Sequence, residues 1–161
     1  MQRYFIFLFF AALLLRFYLA TLGHNYDMES FERVAWAGWR GESVYAATDR
    51  YNYAPLWFWA LTGLKHLQIF FVGIEHSTGA ENFHTWVTLL VIFGELLLFV
   101  GLWRWSGEWR KSLVAVFFSP VCVLLTGYHS QFDVWALALG VWAWHFAVQR
   151  GRWYWAAVLM G

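Results

Sequence analysis

An all-α, multi-pass transmembrane bundle with juxtamembrane helices in its first outer loop is the fold class this sequence predicts. Three observations predict it. The chain has 161 residues, of which 61% are hydrophobic and 13% charged, whereas a soluble domain carries about 45–50% apolar and about 25% charged residues. The apolar residues fall into long runs at 4–22, 55–74, 83–103, 112–128 and 134–149, with a shorter one at 153–161; about 20 residues span a bilayer. No internal repeat, low-complexity tract or soluble domain separates these runs, so residues 1–161 read as a single transmembrane domain.

The first run could be a cleaved signal peptide, with a basic start and small residues near Ala20. Its apolar stretch is 19 residues long and carries Arg16 inside it. Signal peptides have shorter apolar cores, and the run reads as an uncleaved first helix. The last run is too short to cross, and the chain is expected to be the N-terminal part of a larger module. A net charge of +1 provides no basic face for phosphates, which argues against a nucleic-acid partner. The single Cys122 lies in an apolar run and cannot form an intrachain disulfide.

Sidedness follows from Lys and Arg placement. Arg3, Arg104, Arg110, Lys111, Arg150 and Arg152 sit in the connectors with one acid, Glu108, while residues 24–82 hold seven acids and four basic residues. If every run crossed, the basic connectors would lie on both sides. They lie on one side if 55–74 does not cross. That run carries Thr62, Lys65, His66 and Gln68 within about half of a helical wheel, which suits a helix lying in the outer interface. The alternative is a tilted span whose lysine points into a bundle. The interfacial reading puts residues 24–82 and the turn GYHSQFD (127–133) in one compartment, at one depth, facing membrane lipids.

Three polar clusters need a reason. HNYDMESFER (24–33) follows the first helix, and Asp27 and Glu29 read either as helix-capping acids or as functional ones. DRYNYAPLWFW (49–59) holds Tyr51, Tyr53, Trp57 and Trp59, an interfacial anchor by default and otherwise a platform for a sugar ring or isoprenoid chain. In GYHSQFD, Asp133 alone would serve as an N-cap, but Tyr128, His129 and Gln131 crowd further donors and acceptors into the same turn. Glu95 and Arg16 lie deep in two different runs and suggest an intramembrane pair. There is no phosphate-binding loop, dinucleotide glycine motif, HExxH, CxxC or defensible Ser-His-Asp set. The six histidines are scattered, and dependence on a divalent metal stays open.

Taken in order, these pieces resemble integral-membrane glycosyltransferases of the GT-C superfamily. The carriers are the acidic loop DMESFER (27–33), WAGWRGESVY (36–45), YNYAPLWF (51–58), which is similar to a "DYPPLy" segment, and GYHSQFD, which is similar to a "WGQxDs" turn. The likeness is greatest to bacterial enzymes related to the GPI-anchor mannosyltransferases and to the dolichyl-phosphate-glucose-dependent glucosyltransferases. Asn52 and Ala54 stand where that pattern has Asp and Pro, and His129 stands where it usually has Gly.

The resemblance implies a polyprenyl-phosphate-linked hexose, of mannose or glucose type, as donor. It implies a glycan, lipid or protein acceptor on the periplasmic or lumenal face of a bacterial inner membrane or ER-like membrane. It also implies an essential acid in the first outer loop, matched here by Asp27 with Glu29 as the near alternative. Sugar transfer needs a base for the acceptor hydroxyl and donors or cations for the leaving phosphate. Asp27 is the candidate base; His129, Gln131, Arg33 and Lys65 are candidate phosphate ligands. Tyr53 is a candidate sugar contact, and Asp133 is a candidate either to orient His129 or to hydrogen-bond a sugar hydroxyl. The rival expectation is a transporter or membrane assembly subunit, which would carry charges deep in several spans.

Overall fold

Two of the apolar runs form helices long and apolar enough to cross a bilayer unaided: α1 (Gln2–Thr21) and α5 (Ala80–Ser106). The computed structural model describes residues 2–49, 51, 53 and 55–160, and among these it contains helices and no strand. Asn52 and Ala54, where the family pattern is broken, lie outside the described residues, as does the side chain of Arg3. The remaining helices are α2 (Tyr26–Trp39), α3 (Val44–Ala47), α4 (Pro55–Val72), α6 (Trp109–Phe117), α7 (Pro120–Leu124), α8 (Asp133–Trp144) and α9 (Trp153–Met160).

The run at 112–128 is not one helix. Pro120 has no N–H, and a residue before proline is driven out of the helical region; Ser119 accordingly has ψ 122°. The chain bends by 47° between α6 and the segment Pro120–His129, which passes from α7 into a π-helical turn, Leu125–His129. The run at 134–149 is α8 followed by a second π turn, His145–Gln149, and is not among the helices long enough to cross. The four complete spans expected at 4–22, 83–103, 112–128 and 134–149 are therefore two by length and composition, or three if the bent pair is one span.

Chain directions can be read from side-chain contacts. Phe5 of α1 packs edge-on against Trp109 at the start of α6, with ring centroids 5.4 Å apart. At the other end of α1, Gly23 lies beside the ring of Tyr128. Trp135 and Trp142 of α8 donate their indole N–H groups to the carbonyls of Leu90 and Leu97 in α5, at 3.2 and 3.0 Å. Donors and acceptors advance together by two helical turns, so α5 and α8 run parallel. Gln149 reaches the carbonyl of Trp105. The segments bearing Arg104, Arg110, Lys111, Arg150 and Arg152 thus gather at one end of the fold, while the loop after α1 and the turn 127–133 meet at the other.

Helix α4 corrects the expected orientation of its polar row. Thr62, Lys65 and Gln68 are buried, whereas Leu56, Trp59, Leu67 and Phe70 are exposed. Apart from His66, which is exposed, the polar row faces the protein, and a largely apolar face is left outside. The reason lies on α2 and α5, which bring the rings of Trp36 and Phe83 to 4.6 and 4.3 Å from Lys65 Nζ, a favourable place for a desolvated cation. Gln68 Oε1 and the Ser77 carbonyl accept from the same ammonium at 2.8 Å. The lysine points into the bundle, as the alternative reading required, yet α4 is not among the helices apolar enough to cross. Gly38 of α2 lets the two helices meet: a Cβ there would lie 1.9 Å from Thr62 Oγ1.

Apolar packing falls into two main bodies. One joins α2, α4 and α5 through Met28, Phe31, Val34, Leu61, Phe83 and Val87. The other joins α1, α5, α6 and α8 through Ala12, Leu98, Leu113, Val116, Phe117 and Ala138. Between them lies the expected pair of Arg16 and Glu95. The guanidinium donates through Nε and Nη2 to the two carboxylate oxygens at 2.8 and 3.0 Å, and Thr126 Oγ1 donates to Oε1 at 2.7 Å. Nη1 and Nη2 also reach the carbonyls of Phe117 and Val116, at 3.2 and 3.3 Å. Those carbonyls end α6, where the proline break leaves no N–H to meet them.

Removing one partner of a buried pair leaves an uncompensated charge and costs about 3–5 kcal/mol. Arg16→Met and Glu95→Leu are each expected to destabilise the protein by that amount in mixed-micelle unfolding. The double variant is expected to recover part of the loss but not all, because the Val116 and Phe117 carbonyls stay unmet. Strictly additive losses would show that the two residues do not interact.

Candidate functional site

The site is built on the turn between α7 and α8. Gly127 allows a close approach there: a Cβ would stand 3.0 Å from Arg16 Cα and 3.1 Å from its carbonyl oxygen. With Gly127 seated on α1, the π turn ends at Ser130, which adopts the left-handed conformation (φ 47°, ψ 45°). An L-residue costs about 1–2 kcal/mol there. The hydroxyl offsets this by donating to the Thr126 carbonyl at 2.9 Å. Having one hydrogen, it then accepts from Thr88 Oγ1 of α5 at 2.6 Å. A π turn followed by a strained residue is a geometry that recurs at functional sites.

This turn holds His129 and Gln131 against the start of α2. Asn25 Nδ2 meets His129 Nδ1 at 3.2 Å, and Gln131 Nε2 donates to Asp27 Oδ2 at 2.8 Å. Both bonds join residues 104 apart in the chain, so alternate residues of the turn pair in register with alternate residues of the loop. Asn25 is also the N-cap of α2, accepting from the Met28 N–H at 3.1 Å. Capping, expected of the acids, is done by Asn25. Asp27, in the first helical turn, keeps Oδ1 free of hydrogen bonds among the described residues.

Tyr53 completes the enclosure. Its ring stands edge-on to Phe132 at 4.9 Å and to Phe31 at 6.0 Å. Burial raises the pKa of its hydroxyl above the ordinary tyrosine value, and the charges of Asp27 and Asp133 raise it further. Tyr53, Asp27 and Asp133 therefore share one electrostatic neighbourhood. Beside it an apolar groove of about 360 Å³ runs between α4, α5 and α8, lined by Tyr53, Trp57, Leu90, Phe132, Trp135 and Leu139. Trp57 stacks on Phe132 at 4.7 Å, which makes the wall between the groove and the polar cluster aromatic.

The remaining named residues divide: Asp133 stays in the neighbourhood of Tyr53, and Glu29, Arg33 and Lys65 fall elsewhere. Asp133 is the first residue of α8, and the N-cap position belongs to Phe132, which makes no side-chain cap. Its exposed carboxylate is placed to favour the positive helix end and does not bond His129; Asn25 takes that place. Glu29 is half-exposed, 4.0 Å from His24 Nε2. Arg33 is exposed on α2 and makes no bond to the cluster. Lys65 is fully buried, its hydrogen bonds go to Gln68 and Ser77, and burial pushes its pKa down to about 8. Among the described residues no group of three His, Cys, Asp or Glu is arranged to hold a metal ion. Compared with models of known families, with curated proteins and with solved structures, the chain matches none.

Asn25, Ser130, Thr88 and Phe132 were not expected at the site. Asn25 was open to recognition as an N-cap, since Asn favours that position; its second bond, to a residue far along the chain, leaves no sequence signal. Ser130 sets the turn through both φ and hydroxyl, and substitution separates the two. Ser130→Ala is expected to lose the hydrogen bonds and keep the strain. Ser130→Gly loses the same bonds but relieves the strain, and should be the more stable by about 1 kcal/mol in thermal unfolding. Equal stability would mean that the left-handed conformation is not maintained.

Proposed function

We propose that this chain belongs to a multi-pass membrane glycosyltransferase of the GT-C type, transferring a hexose from a polyprenyl-phosphate donor. The observation that carries the reading is Asp27. It is a partly buried carboxylate with one oxygen oriented by Gln131 and the other without a hydrogen bond among the described residues, set beside an aromatic wall and an apolar groove. A neutral amide orients a carboxylate without neutralising it, which suits a general base. The groove suits the isoprenoid tail of the donor, which would bring the phosphate and sugar to the polar cluster.

In this mechanism Asp27 Oδ1 takes the proton of the acceptor hydroxyl as that oxygen bonds to C1 of the sugar. The C1–O bond to phosphate breaks, and its electron pair leaves with the polyprenyl phosphate. Donors near the leaving oxygen lower the barrier by meeting the charge as it develops, and His129 and Gln131 are the residues in reach of that role. Tyr53 lies within the field of Asp133, and both are assigned to sugar hydroxyls. Glu29, Arg33 and Lys65 are not part of the machinery in this reading. The rival, a transporter or assembly subunit, needs free charges at depth. In the two membrane-length helices the buried charges among the described residues are Arg16 and Glu95, and they neutralise each other. Lys65, the buried cation of α4, is held by Gln68 and the Ser77 carbonyl.

The positive-inside rule sets the basic end in the cytoplasm and the Asp27 end on the periplasmic or lumenal side. Thr78, exposed in the connection before α5, is the reporter of choice, because its neighbour Ser77 is buried. Thr78→Cys should react with an impermeant thiol reagent from the outer side alone; reaction from the cytoplasm alone would invert the assignment. The activity test uses the full-length protein in membranes supplied with polyprenyl-phosphate hexoses. Asp27→Asn is expected to lower transfer by about 10²–10⁴-fold and Asp133→Asn by less. Transfer at the normal rate by Asp27→Asn would remove Asp27 as the base.

A further inference from the structure

We infer that Asn25 fixes His129 in the neutral form that carries its proton on Nε2, so that His129 faces the site as a hydrogen-bond donor and not as a base. The role assigned to that donor rests on the glycosyltransferase reading; the protonation state does not.

The inference follows from what each atom can do. The Met28 backbone N–H is a donor only, shared between the Asn25 backbone carbonyl at 3.2 Å and the Asn25 side-chain atom at 3.1 Å, so that side-chain atom must be the amide oxygen. This settles the amide orientation, which is otherwise open to a flip. The NH₂ group is then the part that faces His129 Nδ1, at 3.2 Å. An amide NH₂ cannot accept a hydrogen bond, so Nδ1 must supply a lone pair. A neutral imidazole with its lone pair on Nδ1 has its hydrogen on Nε2. A helix cap in one part of the chain thereby sets the tautomer of a histidine 104 residues away.

Nε2 makes no hydrogen bond among the described residues, and its N–H is available to a ligand. The ring is held from a second direction by Tyr128, edge-on at 5.2 Å. A ring fixed in this way offers one aimed donor, the requirement for meeting charge on a departing phosphate oxygen. It also divides the labour of the cluster. The Asn25–His129 arm donates, Gln131 orients Asp27 and keeps one further amide N–H to donate, and Asp27 is left as the proton acceptor. Asn25 is on this account a positioning residue that acts through His129.

The test is ¹⁵N NMR of the imidazole groups of the full-length protein in micelles, with His129 assigned by its loss in His129→Gln. Wild type is expected to show a pyridine-type Nδ1 and a pyrrole-type Nε2. Asn25→Asp keeps a cap for Met28 but sets an acceptor oxygen against Nδ1, and should exchange the two signatures. Asn25→Ser keeps the cap, is too short to reach the ring, and should give a mixture. A pyrrole-type Nδ1 in wild type, or an unchanged pattern in folded Asn25→Asp, overturns the inference.

Adding farnesyl phosphate should shift the wild-type Nε2 resonance. An equal shift with inorganic phosphate would support the same donor role and show that the head group is sufficient; no shift with either would overturn that role. In the transfer assay Asn25→Asp should lose about 10²-fold. Absence of any transfer in wild type, with the Nε2–H signature intact, would sink the glycosyltransferase reading alone.

Discussion

The rest of the structure depends on the bond network of Arg16. One planar guanidinium reaches three parts of the chain at once: its own α1, Glu95 of α5, and the carbonyls left open where α6 stops before Pro120. A lysine has one compact ammonium and could not match this fork of donors. Thr126, on the π turn, ties the same carboxylate to the segment that carries the site, and Gly127 rests directly on the backbone of Arg16. A buried charge is costly alone and tolerable only when paired and bonded. The pairing therefore holds α1, α5 and the site turn in one relative position, and the helix break at Pro120 is accommodated by it.

From that anchor the site follows by short steps. Gly127 allows the approach to α1, Ser130 reverses the chain at a positive φ, and the next residues meet the N-terminus of α2. The contacts made there have distinct consequences. The Gln131 bond orients Asp27, and the Asn25 bond decides which nitrogen of His129 carries hydrogen. Aromatic packing around Phe132 sets this polar pair against an apolar groove. That juxtaposition of a carboxylate, donors and a lipid-compatible surface is the chemical content of the proposed glycosyltransferase.

Much of this was legible in the residues. The all-helical class and two of the membrane-length helices follow from apolar runs, and the Arg16–Glu95 pair from the rarity of charge in such runs. The basic connectors and the acidic loop were separated by charge placement alone, and side-chain contacts bring them to opposite ends of the fold. Other expectations failed for identifiable reasons. The run at 112–128 looked continuous because hydropathy is blind to the backbone effect of one proline. Lys65 looked like a solvated or phosphate-binding cation because a helical wheel shows which residues share a face, not what the face meets. Asp133 looked like a cap because Asp favours that position, but the chain enters α8 one residue earlier, at Phe132.

What the sequence by itself determined is what each segment must do with its own hydrophobic and polar groups: become a helix and bury its oil. The break at Pro120 and the Asn25 cap of α2 are equally local, although the apolar runs and the acids pointed elsewhere. These are local requirements, met within a few residues. Only the tertiary structure decided that Asn25 and Asp27 would meet His129 and Gln131, that Lys65 would be enclosed by Trp36 and Phe83, and that Arg16 would close three segments together. Each of those contacts joins side chains from separate helices, and its geometry is fixed by how the helices pack. A single chain read in order contains the partners of such contacts but not their distances.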